Sequence, residues 1–232
     1  MSIQDTNTIT RWIQEQQEKR TFQDWVIDIG PFVTLLGLMI LFSLTSDRFL
    51  SFQNLLGNVA VNISVLLLVA LAGTFPIMQQ SIDLSVAALV TFVGMTIAVL
   101  ISNFGVGGPQ AILIGIILGT LVGVFNGVLF TKGKIPSFLV TLGTLSILEG
   151  GAGFVTGGSS VVFREPGLRE LVIGQFIPGV PNIVLLTLLI YGFTIFLALR
   201  TKFGRYTYAL GENESVVDLS GVNVDRYKIG VF

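Results

Sequence analysis

Six long apolar runs govern what this chain can become. They are about Val26–Ser46, Asn54–Met78, Leu84–Ser102, Gln110–Phe130, Ser137–Thr156 and Asn182–Leu199. Each approaches the roughly 20 residues that an α-helix needs to cross a bilayer. The expected fold is therefore all-α, a polytopic membrane helix bundle of about six transmembrane helices. Only Gln79-Gln80-Ser81-Ile82-Asp83 separates the second run from the third, so these two form either a hairpin or one broken helix. Gly157–Pro181 is the one long connection, punctuated by Pro166, Pro178 and Pro181.

Composition narrows the function classes. Charged residues make up 12% of the 232 residues, against about 25% in soluble domains. A formal net charge of −1 gives no basic field to attract nucleic acid. The chain has no cysteine, so a disulfide, a thiolate nucleophile and a Cys-ligated metal are excluded. It has no histidine, which removes the usual general base, metal ligand and pH switch. The expectation is a protein that is not an enzyme. Residues 1–24 are polar and of mixed charge, unlike a secretory signal. They read as an N-terminal segment preceding a transmembrane domain over 25–232.

Basic residues orient the spans. Arg11, Lys19, Arg20, Lys132, Lys134, Arg200, Lys202, Arg205, Arg226 and Lys228 fall on one side, and Arg48, Arg164 and Arg169 on the other. Short basic loops stay in the cytoplasm, so the N-terminus and the segment of about 200–228 are expected there. Lys228-Ile229-Gly230-Val231-Phe232 reads as the start of another apolar run, as in a truncated form of a longer membrane protein.

Several residues stand out within this frame. Gly115, Gly119, Gly123 and Gly127 recur every four residues and are expected to line one packing face of the fourth span. Asp83 and Glu149 are acids in or beside apolar sequence, where charge usually faces protein or water. Ser81 or Asp83 is placed to N-cap the third span. Asn58, Asn62, Ser64, Asn126, Thr141, Thr144 and Ser146 either bond between helices or line a path for a hydroxylated solute. Gly211 precedes Glu212-Asn213-Glu214, then Ser215–Ser220, then Gly221. This predicts a short cytoplasmic helix capped near Asn213 and stopped at Gly221. Val216, Val217 and Leu219 would give it a small apolar side suited to a partner's groove. Gly127 to Lys134 has the wrong spacing for a phosphate-binding loop, with Ile135 where Ser or Thr belongs.

Three stretches resemble the permease subunits of bacterial ATP-binding cassette (ABC) importers for ribose, xylose and galactose. They are Ile82-Asp83-Leu84-Ser85-Val86; Asn126-Gly127 with Lys134–Thr144; and Arg200–Tyr206 through Gly211–Glu214 to Leu219–Val224. Gln80-Ser81 stands where the family has Gly-Gly, and Val216-Val217 where it has Ala-Ala. The resemblance implies a fold of about ten helices and a homodimer of permeases. It also implies cytoplasmic ATPase subunits that bind ATP and Mg, and an extracytoplasmic sugar-binding protein. This chain itself would carry no cofactor and would sit in the bacterial inner membrane. Asn213, Glu214, Leu219, Ser220 and Gly221 would form the ATPase-coupling loop. Asp83, Ser85, Asn126 and Thr141 would form the translocation path or gate. The alternative is a stand-alone secondary transporter or channel for a small polar solute, with Asp83 and Glu149 as coupling carboxylates.

Overall fold

A computed structural model describes residues 22–162 and 164–232. Most of the polar N-terminal segment, and with it Arg11, Lys19 and Arg20, lies outside the described residues. The chain divides into two compact units, Met1–Leu55 and Leu56–Phe232.

In the first unit the described residues form α1, Phe22–Thr45, and a short turn of helix at Phe52–Asn54. Ser43 and Thr45 donate back to the Met39 and Leu41 carbonyls at 2.6 and 2.9 Å. Such bonds let a hydroxyl reside on a membrane helix without an orphaned donor. Ser51 caps Phe52–Asn54 by accepting from the Asn54 N–H at 3.2 Å.

The second unit opens within a π turn, Leu55–Val59, and contains α2 (Ala60–Met78), α3 (Val86–Phe104), α4 (Gly108–Thr131) and α5 (Ser137–Thr156). There follow α6 (Pro166–Ile173), α7 (Asn182–Arg200), α8 (Lys202–Glu212), α9 (Glu214–Leu219) and α10 (Val224–Gly230). Among the described residues, six helices are long and apolar enough to cross a membrane: Val26–Thr45, Phe52–Met78, Val86–Phe104, Gly108–Thr131, Ser137–Thr156 and Asn182–Arg200. These follow the six apolar runs within a few residues. The architecture is a polytopic helical bundle, and the described residues contain no strand longer than a single bridge, Ile177 with Val180.

Small residues set the helix contacts. α3 packs on α4 and α5, and α2 packs on α7. Ala88 and Ala98 of α3, Ala111 of α4 and Ala152 of α5 are all buried. A Cβ on Gly115 would lie 2.8 Å from Ile97 Cδ1 and 3.0 Å from Val93 Cγ1. Close approach is how helices associate where lipid removes the hydrophobic drive between them.

The four-residue glycine series does not form the single packing face expected of it. Gly115 meets α3, whereas Gly119 has open space beyond its Cα. Gly123 would collide with the Phe232 carbonyl, and a Cβ on Gly127 would lie 2.8 Å from Ile229 Cα. A step of four residues overshoots one turn by about 40°. The series therefore winds around α4, from α3 at one end to the α10 segment at the other.

Three short helices escaped sequence reading. α6 begins with Pro166 at its first position inside the long connection. α8 is N-capped by Thr201, which accepts from the Gly204 N–H at 3.3 Å. α10 is N-capped by Asn223, which accepts from the Arg226 N–H at 3.1 Å. Lys228–Gly230, expected to open a further apolar run, is the last part of α10, and this segment lies against α4.

Candidate functional site: a helix junction and an exposed short helix

The junction between α2 and α3 is irregular at both ends. α2 carries Pro76 in its last turn, and Gln80 turns the chain with φ 59°. The Ser81 N–H returns to the Pro76 carbonyl at 2.9 Å. The next N–H groups have no helix to join, and α5 supplies their acceptors. Ile82 N–H donates to Ser137 Oγ, and Leu84 N–H to Thr141 Oγ1, both at 3.1 Å. Thr141 Oγ1 also lies 2.9 Å from the Ser137 carbonyl and 3.2 Å from the Ile82 carbonyl, so its one proton is shared between them.

The N-cap position of α3 is Ser85, not Ser81 or Asp83. Asp83 works one step upstream. Its Oδ1 accepts the Ser85 N–H at 2.8 Å and the Ser85 hydroxyl at 2.6 Å. This short carboxylate turn holds the chain as it enters the helix. Ser85 Oγ in turn accepts from Asn126 Nδ2 at 3.0 Å, and Asn126 Oδ1 accepts from Thr144 Oγ1 at 2.6 Å. One chain of bonds thus runs from Asp83 through Ser85 on the junction and Asn126 on α4 to Thr144 on α5.

The four residues expected on a path or gate are therefore brought together, but not around an opening. Ser85 and Asn126 are 1% exposed and Thr141 0%, each bonded to a neighbouring element. Asp83 is half-buried beside them. Their arrangement is that of a joint: polar groups that fix a helix break against two other helices. Ser137 was missed as a site residue. Its spacing of four from Thr141 places both hydroxyls on one face of α5, and that spacing was the available signal.

On the α2 side, the junction meets the basic segment. A Cβ on Gly211 of α8 would collide with the Met78 carbonyl and lie 3.3 Å from Gln79 Cα. Gln79 is 8% exposed, and neither atom of its amide finds a partner. A cavity of about 570 Å³ lies here, lined by Gln79–Ile82, Pro136–Phe138, Leu210–Glu214, Phe130 and Lys228.

The predicted short helix is α9. Asn213 is its N-cap and accepts from the Val216 N–H at 3.2 Å. Glu214 sits in its first turn and pairs with Lys228 Nζ at 2.9 Å. Lys228 Nζ also stands 4.7 Å over the Phe130 ring, a favourable place for a cation. Ser220 Oγ donates to the Val217 carbonyl at 2.6 Å, and Gly221 takes φ 79°, the left-handed stop.

The apolar side of α9 is not one surface. Val217 joins Leu210 and Val224 in a small core, with Tyr206 and Tyr227 packed against it. A six-residue helix cannot hold its shape alone, and this core anchors it. Val216 and Leu219 point away, 62% and 88% exposed. Glu149 lies elsewhere, exposed on α5, in a pocket between α3 and α5.

Residues 55–232 match the family described as the branched-chain amino acid transport system / permease component. The chain belongs to this family of transport permeases. The permease is 32% identical to the ribose import permease protein RbsC of Bacillus subtilis (strain 168), over 96% of this chain and 69% of that one. It is also 32% identical to RbsC of Haemophilus influenzae, over 90% of this chain and 65% of that one. The autoinducer 2 import system permease protein LsrC of Escherichia coli O157:H7 is 33% identical over 88% of the permease and 59% of that chain. The permease thus spans about 65% of the length of the RbsC relative from Haemophilus influenzae. No solved structure matches it. The family and these relatives bear out the resemblance seen in the three sequence stretches. They place the protein among membrane transport components.

Proposed function

We propose that this permease conducts a simple sugar of the ribose, xylose or galactose class through the inner membrane, driven by ATP that a partner subunit hydrolyses. The N-terminus and the segment 200–228 face the cytoplasm. A second permease copy completes the pore, and an extracytoplasmic sugar-binding protein delivers the substrate. ATP and Mg are held by the partner.

One observation carries this reading. Leu219 is exposed on a helix whose own core abuts α8, and α8 presses Gly211 against the end of α2. A partner groove that takes Leu219 and Val216 would move α9 and α8 together. Gly211 leaves no slack before the Met78 carbonyl, so the displacement reaches the junction, where Ser137 and Thr141 hold the backbone of residues 82–84. Asp83, Ser85, Asn126 and Thr141 then act as the gate's joint, and opening means breaking or re-forming their bonds. Conversion of a docking motion into a helix shift is a recognised route to alternating access. Glu214, paired to Lys228, and Asn213 and Gly221, which cap and stop α9, keep the docking helix in shape. Ser220 ties down its last turn.

The test is Leu219→Glu in the full-length protein, reconstituted with its ATPase. Leu219 makes no core contact, so the permease remains folded in the membrane. Sugar uptake and co-purification of the ATPase should both be lost. Uptake at the wild-type rate would remove the docking argument.

A further inference from the structure

The junction and α9 leave unused the one acid at membrane depth on α5. Glu149 lies seven residues before the end of α5, about 10 Å along the helix axis. An ionised carboxylate facing lipid at such depth costs several kcal/mol, so Glu149 needs water, a polar ligand or a further helix beside it. The structure offers room for one. Glu149 lines a pocket of about 650 Å³ between α3 and α5, with Thr91, Gly94, Met95, Gly153 and Thr156 among its walls. It extends to Ser159 and Ser160, past the end of α5 and away from the loop carrying Lys132 and Lys134. That volume falls within the range of small-molecule sites.

Around Glu149 the walls mainly accept hydrogen bonds. Thr91 donates its proton to the Ala87 carbonyl at 3.1 Å. Thr156 donates to the Ala152 carbonyl at 3.0 Å. With their protons committed to their own helices, these hydroxyls offer the pocket only lone pairs. The Glu149 carboxylate is likewise an acceptor. A carboxylate and two accepting hydroxyls, with Ser159 and Ser160 able to donate or accept at the far end, suit a ligand bearing several hydroxyls, and Met95, Ala98 and Ala152 beside them suit a face of C–H groups. A neutral polyhydroxylated solute has both.

We propose that this pocket is a binding site for a sugar or polyol, in which Glu149 accepts hydrogen bonds from two hydroxyls and Thr91 and Thr156 accept from others. It lies at the end opposite the basic loops, where an imported solute would enter. The proposal deepens the reading of the protein as a sugar permease and rests on it.

The absence of native cysteine makes the test direct. In an E149C variant of this 232-residue chain the introduced thiol is the only one. In membrane vesicles, a charged methanethiosulfonate should label E149C. D-ribose, D-xylose or D-galactose at ten times the KM of the E149C variant itself should slow labelling roughly tenfold, the fraction left unliganded, while choline should not. Labelling by a lipid-soluble maleimide alone would place Glu149 against lipid and overturn the site. Protection by choline but not by any of the three sugars would overturn the ligand class, and protection by none would overturn both.

A second pair of variants reads transport. E149Q keeps the shape and should raise KM for uptake roughly tenfold, as loss of a charge-assisted bond does. G153L fills the pocket where a Cβ meets nothing within 4 Å, so it should abolish uptake while ATPase binding persists. Wild-type kinetics in both would sink the proposal. Sugar protection of E149C with no ATP-driven uptake in the wild type would instead leave the site standing and overturn the importer reading.

Discussion

Asn126 commits both ends of its amide to other elements, donating to Ser85 and accepting from Thr144. Ser85 and Thr144 are 1% and 5% exposed, so neither can turn to water instead. Asn126→Ala should therefore destabilise the protein by about 1–2 kcal/mol, read as a lower midpoint for thermal unfolding in detergent. Thr144→Val removes one of the same bonds. The double variant should cost less than the sum of the singles, by about 0.6 kcal/mol or more. Strict additivity would show that the Thr144–Asn126 bond contributes nothing to stability. Asn126→Asp keeps an acceptor for Thr144 but loses the donor to Ser85, and places a second carboxylate near Asp83. It should be more damaging than Asn126→Ala in the same unfolding assay.

Among the helices, the α4 glycines offer a contrast within one element. A methyl at Gly119 enters open space, so Gly119→Ala should hold or raise the unfolding midpoint. A methyl at Gly127 meets the backbone of Ile229, which cannot rotate aside. Gly127→Ala should lift α10 from α4, and amide exchange over residues 224–230 should accelerate. Equal behaviour of the two variants would refute the winding of the series from α3 to α10. The long spans were legible in sequence because their apolar character is continuous over about 20 residues. The Asn213 cap and the Gly221 stop were legible because each acts within one turn of its own helix. By contrast, α6, α8 and α10 were not seen, since 7 to 11 residues of mixed character carry little periodic signal. Ser85 displaced Asp83 from the cap because the carboxylate bonds the Ser85 N–H and hydroxyl, a choice set by the junction's geometry. The pairing of Ile82 with Ser137 and of Leu84 with Thr141 spans 55 and 57 residues. Only the packing of α3 on α5 produces it, and no local pattern encodes it.

At the level of the whole molecule, the basic loops and the Glu149 pocket should open to opposite sides of the membrane. In the cysteine-free background, K132C should react with an impermeant thiol reagent only in inside-out vesicles, and S160C only in right-side-out ones. Reaction of both from the same side would break the proposed topology, and an exchange of the two sides would reverse it. The junction also has a consequence for how the protein tolerates change. Ser137 and Thr141 grip main-chain atoms of residues 82 and 84, while the Ile82 and Leu84 side chains are 54% and 42% exposed. Any residue with an N–H can be held there. In a saturation library, positions 82 and 84 should accept many apolar side chains and reject proline, whereas 137 and 141 should accept little beyond Ser and Thr. The constraint on positions 82 and 84 thus sits on α5, and their own side chains are free to vary.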